Sequence, residues 1–105
     1  ADVNKANDRD WTPLLQASDN GHLEVVQALI AAGADVNPAD DNGGSVIWWA
    51  SQNGYLAIVN ALVAAGADVN KAGIVGNTPI SVASLNDHTE VVKALRAAGA
   101  VESTE

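Results

Sequence analysis

A chain of 105 residues that is 48% apolar can close one hydrophobic core and little more. Its net charge of −8, from 13 acidic against 5 basic residues, leaves no basic stripe to displace counterions from phosphates. That argues against nucleic acid and anionic membrane surfaces as partners. Cys is absent, which removes disulfides and thiolate metal sites and fits an intracellular, cytoplasmic setting.

The opening residues are polar, unlike a signal peptide, and no apolar run is long enough to cross a bilayer. Ala1-Asp2-Val3-Asn4 returns as Ala34-Asp35-Val36-Asn37 and as Ala67-Asp68-Val69-Asn70, 33 residues apart each time. Ala-Ala-Gly closes each unit at Gly33, Gly66 and Gly99. A single domain of three units, 1–33, 34–66 and 67–99, with a tail at 100–105, follows from that period. The acidic excess is uneven: five acids and two bases, then three and none, then three and three.

Each unit predicts two short helices after a polar, turn-rich segment. The first begins at Thr12-Pro13 and at Thr78-Pro79, where Thr caps an orphan N–H and Pro fits the first helical position. Ser45-Val46 keeps the cap without the proline. A turn follows at Asn20-Gly21 and Asn53-Gly54, but at Asn86-Asp87 in the third unit. A left-handed backbone there would cost Asp about 1 kcal/mol relative to Gly. The second helix is expected over 22–32, 55–65 and 88–98, stopped by the glycine that follows. Leu14, Ile47 and Ile80 match across units, as do Ala17, Ala50 and Ala83; Val26, Val59 and Val92; and Leu29, Leu62 and Leu95. Their i, i+3 spacing gathers them on one core-facing side.

Asp10-Trp11-Thr12-Pro13-Leu14, Asn20-Gly21-His22-Leu23-Glu24-Val25-Val26 and the segment from Ala31 to Asn37 closely resemble the ankyrin repeat. The likeness covers residues 1 to about 101 and rests on several motifs in register. It implies an all-α repeat solenoid, a stack of helix-turn-helix units joined by β-hairpin loops. It also implies protein binding through hairpin tips and the concave helical face. The family's Thr-Pro-Leu-His motif has lost its histidine in every unit, becoming Leu15, Trp48 and Ser81. In the third unit Arg96 replaces Ile30 and Val63, and Thr89 replaces Leu23 and Leu56, the polar conversion expected of a terminal unit. The first unit has no such conversion, so its outer flank is expected to be exposed or covered by further repeats.

No catalytic constellation emerges. His22 and His88 occupy equivalent places two units apart, roughly 20 Å by helix spacing, too far to share a metal or a proton. Each reads as a helix-start histidine bonded locally. Asp8 and Asp41 lie about 10 Å apart on the same argument, wide for a carboxylate pair. Asp40-Asp41-Asn42-Gly43 lacks the remaining ligands of a calcium loop, and Asn42-Gly43-Gly44-Ser45 lacks the lysine of a phosphate loop. No catalytic residue, cofactor or metal is therefore expected.

Departures from the pattern carry the functional reading. In the family, unit positions 8, 9 and 11 lie at the tip, and 15, 16, 19 and 20 on or near the concave side. The tips run Asp8-Arg9, Asp41-Asn42, Ile74-Val75, and position 19 runs Asp19, Gln52, Leu85. Trp48, Trp49, Ile74, Val75, Val82 and Leu85 are expected to form one apolar patch, rimmed by Asp40, Asp41, Gln52, Asn53 and Asn77, with Trp11 either extending it or covering the first unit's flank. Trp often dominates binding energy, at about 2 kcal/mol or more per anchor. Trp48 and Trp49 are also compatible with packing between units. Three readings follow: a natural, selected or engineered protein-binding module; a structural fragment of a longer array; and a small-molecule or enzymatic site beside Trp48 and Trp49.

Overall fold

The computed structural model describes residues 4–6, 11–37, 44–71, 73 and 76–100. Six helices follow in order: α1 (Pro13–Asp19), α2 (Leu23–Ala31), α3 (Val46–Asn53), α4 (Leu56–Ala64), α5 (Pro79–Leu85) and α6 (Thr89–Ala97). Successive pairs stack in two layers, α1–α3–α5 and α2–α4–α6, in a body of 44 × 24 × 20 Å. No extended strand forms among the described residues. The expected β-hairpin tips at 8, 9, 41, 42, 74 and 75 lie outside them.

The predicted caps form. Thr12, Ser45 and Thr78 adopt extended backbone, and their hydroxyls accept from Leu15, Trp48 and Ser81 N–H, each at 3.2 Å. The second helices are one residue shorter at each end than expected, because His22, Tyr55 and His88 sit at the cap position with non-helical backbone. At their far ends Gly33, Gly66 and Gly99 turn left-handed. The next N–H then reaches back to Leu29, Leu62 and Leu95 carbonyls at 2.9–3.0 Å, closing the last turn.

The core runs along the stack through Leu14, Ile47 and Ile80 and through Val26, Val59, Leu62 and Leu95, with Ala17, Ala50 and Ala83 admitting close helix approach. The recurring Ala-Asp-Val-Asn segment fixes register. Asn4 Oδ1 accepts from Asp35 N–H and Asn37 Oδ1 from Asp68 N–H, both at 2.8 Å. Asp35 and Asp68 carboxylates accept in turn from Asn37 and Asn70 N–H at 3.0 Å. The motif repeats because each copy bonds the next.

Candidate interaction surface

The three tryptophans form one cluster across the first-helix layer. Trp11 and Trp49 stand 5.5 Å apart between ring centroids, tilted at 46°, and Trp49 meets Trp48 edge-on at 5.0 Å. Trp48 is 4% exposed, and its indole N–H donates to the Asn77 carbonyl at 3.0 Å. Gly73 leaves room for this ring: a methyl group at Gly73 would collide with it. Trp49 packs on Gly44, where an added Cβ would come within 2.6 Å of the indole nitrogen.

The expected patch is thereby corrected in two places. Trp48 and Val82 lie inside the stack, because position 15 faces the neighbouring unit and α5 turns position 16 inward. Leu15, also at position 15, is wholly buried. Trp11 and Trp49 are half-buried against one another. Leu85, by contrast, is 73% exposed at the end of α5, where α1 and α3 carry Asp19 and Gln52. Ile74, Val75, Asp40 and Asp41 fall outside the described residues.

The polar rim is partly committed to the fold. Asn53 Nδ2 donates to the Asp19 carbonyl at 3.2 Å and to its carboxylate at 2.8 Å. Gln52 is half-buried, and its carbonyl accepts from His88 Nε2 at 2.9 Å. Asn77 is half-buried, with its carbonyl holding Trp48. His88 therefore bonds the preceding unit, a correction to the local partner expected from sequence. Tyr55, at the same unit position, stacks over Gly21, and His88 over Gly54. His22 is exposed, with no carbonyl to meet among the described residues.

Sequence reasoning missed two further exposed apolar residues, Val25 and, at 36%, Leu56. Val25 is 47% exposed on the outer side of α2, beside a shallow cleft of about 490 Å³ lined by His22, Leu23, Glu24 and Val25. Its counterparts Ile58 and Val91 are each 2% exposed. The signal lay in the unconverted apolar residues of the first unit.

Among the described residues no group of three or more His, Asp or Glu side chains could hold a metal ion. No helix among them is long and apolar enough to cross a membrane. Residues 1–73 match the family model for ankyrin repeats, described as three copies, and residues 75–104 match the single ankyrin-repeat model. Comparison with curated proteins gives no match.

Proposed function

Since the chain belongs to the ankyrin-repeat family, whose members are generally protein–protein interaction modules, we propose that it binds another protein and catalyses nothing. One domain of three units supplies the surface. Its contact face combines the tips and the C-terminal ends of α3 and α5, with the exposed Leu85 as the apolar anchor and the half-buried Trp49 and Gln52 as further members. Ile74, Val75 and Asp41 extend it on the sequence argument alone.

The exposure of Leu85 carries this reading. Leaving a leucine side chain wet forgoes about 1.5–3 kcal/mol of burial, which a partner would recover. Regular framework positions beside departures at contact positions also fit a surface selected, or engineered, for one partner.

The test compares capture from a candidate proteome by the wild-type chain and by Leu85→Asp. A partner retained by the first and lost by the second, with helicity and melting unchanged, supports the proposal. Equal retention by both, or unfolding of Leu85→Asp, removes it.

A further inference from the structure

Charge is divided between the two helix layers. Every lysine and arginine carried on a helix lies in the second layer, on α6: Lys93, which pairs with Glu90 at 3.4 Å, and Arg96. The first layer, α1, α3 and α5 with the turns that follow them, carries two carboxylates, Asp19 and Asp87, and no lysine or arginine. The other described cations stand apart from those carboxylates. Lys71 Nζ donates to the Asn37 carbonyl at 3.2 Å, and Lys5 lines a shallow cleft with Trp11 and Pro13, at the opposite end of α1 from Asp19. Neither Asp19 nor Asp87 has an ion-pair partner among the described residues.

Leu85 sits in this anionic setting. Unit position 19 forms a row across the layer, Asp19, Gln52 and Leu85, in the last turns of α1, α3 and α5. Helix spacing puts Asp19 and Leu85 roughly 20 Å apart, while Asp87 follows Leu85 by two residues and is exposed. Asp19 is half-buried, with its carboxylate held by Asn53 Nδ2 at 2.8 Å. None of the three helices has a basic residue in its last turn, so the partial negative charge of their ends adds to the carboxylates. Leu85, 73% exposed, is thus an apolar contact in a field that repels acidic surfaces and draws basic ones.

We propose that the partner bound at Leu85 is a basic protein segment. It sets a large apolar side chain on Leu85, a lysine or arginine at Asp87, and a second cation about 20 Å away at Asp19. This rests on the reading of Leu85 as the anchor of a protein-binding face and adds the partner's charge to it. Charge complementarity argues for that occupant. An acidic segment would meet like charge, and a wholly apolar one would strip water from Asp87 without pairing it. A second copy of this chain is disfavoured on the same ground, since each carries a net charge of −8.

The test selects phage-displayed random peptides of about 20 residues, long enough to span about 30 Å as a helix, on the wild-type chain. Enriched sequences are then measured as free peptides by fluorescence anisotropy. They should carry net positive charge together with a large apolar residue. Binding should weaken at least about tenfold on Leu85→Ser and about two- to fivefold on each of Asp19→Asn and Asp87→Asn. It should also weaken as salt rises from about 0.05 to 0.5 M. If Asp19→Asn loses helicity, Asp87→Asn and the salt dependence of the wild type decide. Enriched peptides that need Leu85 but are neutral or acidic, or that ignore both carboxylates, overturn the proposal and leave the binding reading standing. Peptides indifferent to Leu85→Ser, or no enrichment, overturn both. A lysine-only peptide that binds as tightly as the selected ones would reduce the effect to adsorption on an acidic chain, and that result overturns the proposal as well.

Discussion

The two junctions of the stack perform the same tasks with different side chains. Between the first and second units, the carbonyl of Asp19 accepts from Asn53 Nδ2, and Tyr55 covers Gly21. Between the second and third, the equivalent carbonyl of Gln52 accepts from His88 Nε2, and His88 itself covers Gly54. Tyr55 supplies the flat ring but no ring N–H, so the donor is Asn53, two residues earlier. What recurs is therefore the contact, an occupied carbonyl beneath a ring, and not the residue type. The first-helix layer shows a similar division: Trp11 meets Trp49 at one junction, whereas Trp48 is held by Gly73 and the Asn77 carbonyl at the other.

The largest expected effect comes from breaking the second junction at its indole. Trp48→Ala would empty a buried site and release the Asn77 carbonyl, for a loss of about 3–5 kcal/mol by denaturant unfolding. Trp49→Ala, from a half-buried ring, should cost clearly less; equal losses would mean that the two rings are not divided between core and surface. Gly54→Ala comes next, at about 2–4 kcal/mol, because it combines left-handed strain with a collision against His88. Gly66→Ala is its control. That glycine is equally left-handed at φ +92° with nothing within 4 Å of an added Cβ, so only the backbone cost of about 1–2 kcal/mol remains. Equal losses at the two positions would show that the ring contact contributes nothing.

These effects also mark where sequence reading stops. The period and the Thr12, Ser45 and Thr78 caps made the helices and their starts legible, since both are local chemistry repeated in register. The inward turn of Trp48 was not local. Adjacent residues on a helix point about 100° apart, so only one of Trp48 and Trp49 can face the next unit. Which one does depends on a missing side chain elsewhere. Position 7 runs Asn7, Asp40, Gly73, and position 11 runs Trp11, Gly44, Asn77. The glycines fall where Trp48 and Trp49 need space, a large-against-small pairing present in the sequence but invisible without the stacking geometry. Leu85 was legible because the resemblance puts position 19 on the contact side, where the other units carry Asp19 and Gln52, whereas the exposure of Val25 depends on what its neighbour would have covered.

The smallest effect sharpens the comparison furthest. If the junctions share one task, the first should accept the second's solution. Tyr55→His would place an imidazole N–H at the Asp19 carbonyl, where Asn53 now donates. Asn53→Ala alone should cost about 1–2 kcal/mol, through its bonds to the Asp19 carbonyl and carboxylate. In the Tyr55→His background the same substitution should cost less by about 0.5 kcal/mol or more, since the carbonyl then has a second donor. Residues sharing a hydrogen-bond acceptor are coupled, so the double-mutant cycle reads the substitution of one device for the other and not the packing of Tyr55. Strict additivity would mean that imidazole cannot reach this carbonyl, and that the first junction is built around tyrosine and not merely tolerant of it.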